Sequence, residues 1–248
     1  MIEAEWWDYD DAEEMAEAVA GDIGFIIESA LDARGEALIA VPGGKTPLPI
    51  YAKLAQAKLN WKKVTIIPTD DRLVPLTDEK SNIRAIAQAF LPAGARVFPI
   101  TSDIADYKLA GNSANAKLAD LKFPLDLAWL GVGSDGHTAL IFPGPDLDEA
   151  LNAPKGRHAI GVMPDPLPPE APVARVTLTR SAILSARTVL ITVTGAEKKE
   201  LLEGAIADGQ SSKLPIGRVL AEISAETGLV VHDMPKLEEF FVGLRFEA

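Results

Sequence analysis

Residues 37–41 read Ala-Leu-Ile-Ala-Val; they run into Pro42-Gly43-Gly44-Lys45-Thr46-Pro47, and a helix-patterned stretch follows over 48–57. A short, unbroken apolar run bounded by Pro and Gly is a strand buried on both faces rather than a helix or a half-exposed strand. Pro47 falls near the first turn of the helix, where a missing N–H is tolerated. Upstream, residues 12–33 (AEEMAEAVAGDIGFIIESALDA) carry apolar side chains three and four apart with acids in the first turn, which predicts an amphipathic helix. Downstream the same grammar returns at 64–68 (VTIIP) before Thr69-Asp70-Asp71-Arg72, and at 125–130 (LDLAWL) before a glycine-rich segment. It returns again at 189–193 (VLITV) before Thr194-Gly195-Ala196-Glu197-Lys198 and a helix to Ala207, and 229–232 predicts a last strand. Apolar strands alternating with helices predict an α/β fold: a mostly parallel sheet with helices on both faces. We expect one domain over 1–248, with room for a small additional lobe.

Composition narrows the functional classes. At 48% hydrophobic and 24% charged residues, the chain is that of an ordinary globular protein. Lys and Arg total 24 against 36 Asp and Glu, a formal charge of −12 that argues against nucleic acid as a partner. The absence of cysteine excludes disulfides, thiolate metal sites and a cysteine nucleophile, and fits the cytoplasm. The acidic start with Trp6 and Trp7 is unlike a signal peptide, and no apolar run approaches the roughly 20 residues of a membrane span.

In open α/β sheets ligands bind beyond the carboxyl ends of the strands, so the residues after each apolar run are the candidate site. They are Gly43, Gly44, Lys45 and Thr46; Asp70 and Arg72; residues 131–138 (GVGSDGHT); and Gly195 with Lys198. Cations and helix N-termini together suit an anion. Gly44-Lys45-Thr46 imitates the end of a P-loop, but Ile39 stands where that motif needs glycine and Pro47 follows at once. Gly131-x-Gly133-x-x-Gly136 imitates a dinucleotide fingerprint, yet no ribose-binding acid is evident about 20 residues on.

The glycine-rich segment does carry Asp135-Gly136-His137. An imidazole accepts and returns a proton near neutral pH, and a neighbouring carboxylate can orient it. His158 and His232 lack such surroundings and read as structural, His232 being left open because it ends a strand. Alternation at a strand exit would aim Asp70 and Arg72 the same way and Asp71 elsewhere. Arg175 opens an alternating strand, Arg-Val-Thr-Leu-Thr, that would hold it at a pocket edge. Lys198 lies one turn into a helix. Residues 163–172 (MPDPLPPEAP) hold five of the 18 prolines and predict an ordered surface loop beside the sheet, with a lid as the other reading.

Taken together, these segments resemble the 6-phosphogluconolactonase family of the sugar-phosphate isomerase and deaminase superfamily. Residues 130–143 (LGVGSDGHTALIFP) are similar to its G-x-G-x-D-G-H-T-A-S-L-F-P signature, departing at Leu140 and Ile141. Gly43 to Pro47 resembles its G-G-x-T-P loop; residues 69–75 (TDDRLVP) resemble D-E-R-x-V-P with Asp71 in place of Glu; and Ser81-Asn82, 175–179 and 194–198 match three further segments. The resemblance implies a Rossmann-like, NagB/RpiA-type fold and hydrolysis of 6-phosphoglucono-1,5-lactone in the oxidative pentose phosphate pathway, without metal or cofactor. On this reading His137 is the general base and Asp135 orients it. Arg72, Arg175 and Lys198 grip the phosphate with the amides around Gly43, Gly44, Lys45 and Thr46, and Asp70 organises the pocket. Amides of the glycine-rich loop are candidates for the oxyanion. The expected partner is a small phosphorylated sugar lactone, not nucleic acid or membrane, in the cytoplasm, with monomer and small homo-oligomer both open. Two other readings stand beside it: a glucosamine-6-phosphate deaminase-like enzyme and a non-catalytic sugar-phosphate-binding protein.

Overall fold

The structure, a computed structural model, describes residues 4–139, 141–169, 171–223 and 227–234. Leu140 of the signature segment, Glu170 of the proline-rich loop and residues 235–248 of the expected domain lie outside that description. The chain opens with β1 (Glu5–Asp8), α1 (Ala12–Arg34) and β2 (Ala37–Val41). Asp11 caps α1 by accepting from the amide of Glu14, and Gly35, at φ 74°, ends it by donating to the Leu31 carbonyl. All five residues of β2 are buried, as their unbroken apolar run requires.

Next come α2 (Pro47–Leu54), β3 (Val64–Pro68), β4 (Asp70–Arg72), α3 (Asn82–Phe90), β5 (Arg96–Val97) and α4 (Tyr107–Leu118). The second helix stops at Leu54 rather than running to 57, because Gln56 and Ala57 donate to carbonyls three residues back and tighten the chain into turns. Then follow β6 (Leu127–Gly131), α5 (Leu147–Asn152), β7 (Ala159–Val162), β8 (Arg175–Leu178), α6 (Arg180–Leu184), β9 (Thr188–Thr194), α7 (Ala196–Asp208), α8 (Pro215–Leu220) and β10 (Gly228–Met234).

Among the described residues seven strands form one parallel sheet in the order β1-β10-β9-β6-β2-β3-β5, with a buried apolar cluster on each face. Among the described residues no helix is long and apolar enough to cross a membrane. The mostly parallel expectation holds for this sheet; beside it lies a second, antiparallel sheet ordered β4-β8-β7, whose Ile160, Val176 and Leu178 share one buried cluster with Leu38, Ala128 and Leu130 of the large sheet. It is joined to the first through β4, which begins one residue beyond β3. Helix α4 packs on β7 backbone to backbone: a Cβ at Gly161 would lie 1.7 Å from the Tyr107 carbonyl oxygen. The proline-rich loop contains no helix or strand among its described residues. It is tied at its start by the amide of Met163 to Asp146 (2.8 Å) and near its end by Arg175 to the Ala171 carbonyl (2.7 Å).

Candidate active site

The carboxyl ends of β2, β3, β6 and β9 open onto one cavity of about 220 Å³. The loop after β2 supplies Gly43, Gly44, Lys45 and Thr46; β4 supplies Asp70 and Arg72; the loop after β6 supplies His137; and α7 supplies Lys198. These eight of the ten residues singled out from the sequence therefore share one space. Asp135 is exposed and does not line the cavity itself, but contacts His137, which does. Arg175 is placed elsewhere, as described below.

The loop after β6 is shaped around the imidazole. Asp135 Oδ1 lies 2.5 Å from His137 Nδ1 and also accepts from the His137 amide at 3.2 Å. Gly133 has to be glycine here, since a Cβ would meet the His137 ring at 2.2 Å. Phe142 stacks on the ring, with centroids 4.2 Å apart. The imidazole thus contacts both the loop backbone and an aromatic face. Because Nδ1 faces a carboxylate, the proton belongs on Nδ1 and the free lone pair on Nε2. The same contact lowers the Asp135 pKa, so the carboxylate stays ionised through the neutral range. Three loop amides are already engaged: Gly133 donates to the His137 carbonyl, Gly136 to the Gly133 carbonyl and His137 to Asp135. Those three are therefore removed from the candidates for holding an oxyanion.

Asp70 and Arg72 also face the cavity while Asp71 turns away, as alternation along β4 predicts. Asp70 accepts from the Thr69 hydroxyl at 2.7 Å and from Asn82 Nδ2 at 2.9 Å. Burial pushes its carboxyl pKa up, against the Thr69 hydroxyl and the charges of Arg72, His137 and Arg175. Arg72 Nη1 donates to the Lys80 carbonyl (2.9 Å) and to Asn82 Oδ1 (2.8 Å). Its Nε is buried with no partner among the described residues.

Arg175 does not line the cavity. It is fully buried, and its guanidinium donates to the carbonyls of Ala171 and Val173 and lies 5.6 Å from the Phe142 ring centroid. This first residue of β8 turns to the end of the proline-rich loop, so the expected pocket-edge position is corrected to a buried one outside the lining. Lys198 and Lys199 part company in the same way. Lys198 reaches the cavity, whereas Lys199 is spent on Asp8 (2.5 Å) and Asp233 (2.7 Å). Neither of the remaining histidines lines this cavity: His158 stacks on Phe123 at 3.8 Å, and the buried His232 meets Tyr9 Oη at 2.9 Å and Asp22 at 3.2 Å.

Four contributors escaped the sequence reading as site residues. Thr192 and Thr194 line the cavity from the exit of β9, two apart on one face, and the period-2 rule applied to that strand end would have found them. Asn82 starts α3 and lines the cavity between Asp70 and Arg72. Phe142 carried no signal apart from the resemblance. Among the described residues no three His, Asp or Glu side chains gather as a metal cluster.

The fold and cavity define an α/β protein whose strand ends bring a carboxylate-held imidazole and several cations into a single polar space. Comparison with known proteins gives the family. Residues 10–228 match the family described as glucosamine-6-phosphate isomerases/6-phosphogluconolactonase, and the chain belongs to it. It is 37% identical over 210 residues to a 6-phosphogluconolactonase of Rhizobium meliloti, covering 83% of this chain and 89% of that one. It is 33% identical over 210 residues to a 6-phosphogluconolactonase of Pseudomonas putida, covering 83% and 85%. Its fold superposes on a crystal structure of a 6-phosphogluconolactonase from Shewanella baltica with a TM-score of 0.84 and 28% identity, covering 93% and 98% of the two chains.

Proposed function

We propose that the protein is a 6-phosphogluconolactonase, a hydrolase that opens 6-phosphoglucono-1,5-lactone to 6-phosphogluconate in the oxidative pentose phosphate pathway. The observation that carries this reading is that His137, braced by Asp135, shares one cavity with Arg72 and Lys198. An imidazole and cations lining one space suit a substrate that carries both an ester and a phosphate.

In the first step His137 Nε2 takes a proton from water as the water oxygen bonds to the lactone carbonyl carbon. Asp135 stabilises the imidazolium and keeps the ring in register. The tetrahedral intermediate then collapses: the bond from carbon to ring oxygen breaks, and His137 returns its proton to that oxygen. One water is consumed and a carboxylic acid and a hydroxyl appear, so no redox or group-transfer cofactor enters the equation. Arg72 and Lys198 hold the phosphate with Lys45 and the backbone of Gly43, Gly44 and Thr46, converting remote binding energy into orientation at the reacting carbon. Arg175 supports from behind, and Asp70 organises Thr69 and Asn82 and faces the sugar hydroxyls. A dianionic sugar does not cross a bilayer unaided, so we place enzyme and substrate together in the cytoplasm.

A rapid lactone assay in the presence and absence of chelator tests this. Turnover well above the spontaneous opening and unaffected by chelator is expected; a rate equal to the spontaneous one would overturn the reading. The family name also covers isomerases of amino-sugar phosphates, so ammonia release from glucosamine 6-phosphate is the parallel measurement. Release of ammonia faster than acid from the lactone would reverse the assignment. Tight binding of the sugar phosphate with no turnover of either compound would point to a sensor.

A further inference from the structure

We propose that Asp71 is a positioning residue for the phosphate clamp: from behind the cavity wall it ties β4 to the first turn of α3, and so sets where Asn82 holds Asp70 and Arg72. The inference rests on Arg72 being a phosphate ligand, as argued above.

Asp71 has no exposed surface and lines no part of the cavity. Four donors converge on its carboxylate. Oδ1 accepts from the amides of Arg72 (2.8 Å) and Asn82 (2.7 Å); Oδ2 accepts from the Ser81 hydroxyl (3.1 Å) and the Ile83 amide (3.2 Å). The first amides of a helix have no partner within it, and an N-cap residue such as serine ordinarily serves them. Ser81 occupies that position but makes no cap bond, because its hydroxyl points to Asp71. The cap is therefore supplied from a different element. A local serine cap would steady α3 alone, whereas a cap from β4 fixes α3 relative to the strand that carries Asp70 and Arg72.

Asn82 transmits that constraint to the cavity. Its Nδ2 donates to the Asp70 carbonyl (2.8 Å) and to Asp70 Oδ2 (2.9 Å), and its Oδ1 accepts from Arg72 Nη1. It is also wedged against the loop after β2: a Cβ on Gly43 would come within 1.9 Å of Asn82 Oδ1. One carboxamide thus touches the arginine and both halves of the anion-facing wall. A shift of the α3 start moves all three together, and two-pronged recognition of phosphate by a guanidinium depends on geometry.

The test compares Asp71→Ala, Asp71→Asn and Arg72→Ala. For Asp71→Ala, KM for the phosphorylated lactone should rise about tenfold or more, with kcat within about threefold. Inhibition by 6-phosphogluconate should weaken by the same factor, while kcat/KM for unphosphorylated gluconolactone, which shares only the Asp70 side of the wall, falls by much less. Asp71→Asn keeps an oxygen for the amides of Arg72 and Asn82 and should recover most of the loss. An unchanged KM in Asp71→Ala, an equal loss on both lactones, or no recovery in Asp71→Asn would overturn the inference. Should Asp71→Ala fail to fold, Asn82→Ala cuts the same link one step later and must show the same rise in KM, and its absence overturns the inference equally. Arg72→Ala separates the two readings. If it keeps full preference for the phosphorylated lactone, the clamp itself is wrong; if it loses that preference while Asp71→Ala behaves as wild type, only the role of Asp71 falls.

Discussion

The role proposed for His137 rests on the neighbours that hold its ring. Glycine at 133 makes room for the ring, Phe142 covers its face and Asp135 holds Nδ1. Removing the imidazole in His137→Ala should therefore lower kcat about 10²- to 10⁴-fold while leaving 6-phosphogluconate affinity nearly unchanged. Steady-state kinetics with product inhibition reads both; full activity would sink the role. Asp71 should make stability depend on pH. Burial pushes its carboxyl up to about 6 from the ordinary 3.8, so between those values the folded protein binds a proton that the unfolded chain does not. Its contribution to stability is full below the lower value and is lost as pH rises through the upper one. Relative to Asp71→Asn, the wild type should lose up to about 3 kcal/mol between about pH 4 and pH 7. Urea denaturation at the two pH values measures it, and a pH-independent difference would refute it. On this account a buried carboxylate is kept ionised at neutral pH, at a cost in stability, for the placement of α3.

Elements were legible in proportion to their length and apolar continuity. Helix α1 and strands β2 and β3 lie where the pattern put them, because Asp11, Gly35 and unbroken apolar runs are local signals. Strand β1 was missed. It is a four-residue edge strand with only Trp6 part-buried, and its identity comes from pairing with β10 at the far end of the chain. Strands β4 and β7 are as short and are defined by antiparallel pairing with β8, so no window along the sequence reveals them. Two glycines make the point in energy. Gly161→Ala drives a methyl into the Tyr107 carbonyl and should destabilise the fold by about 2 kcal/mol or more. At Gly21, within α1, an added methyl would meet nothing within 4 Å, so Gly21→Ala should stabilise by about 0.5–1 kcal/mol. Chemical denaturation checks both, and equal effects of the two would contradict the packing of α4 on β7.

At the scale of the whole molecule, the cavity is assembled from both sheets. Asp70 and Arg72 belong to the small antiparallel one, His137 and Lys198 follow strands of the large parallel one, and Thr177 of β8 donates to the Ala139 carbonyl in the cavity wall. A ligand that bridges them stabilises both together. At 100 times its Kd, 6-phosphogluconate should add about 2.7 kcal/mol, raising the Tm of one cooperative transition by roughly 5–10 °C. Calorimetry showing two transitions, with only one displaced, would contradict a cavity shared in this way.

The sequence by itself determined the α/β class, the strand ends that line the cavity and the pairing of Asp135 with His137. Each follows from hydrophobic periodicity or from residues two apart in the chain, which need no knowledge of what lies across the molecule. Only the tertiary structure decided that Arg175 lies outside the lining, that Lys198 rather than Lys199 reaches the cavity, and that Asn82 joins Asp70 to Arg72. Those outcomes depend on which partner occupies each side chain, and the partners come from segments brought together only by folding.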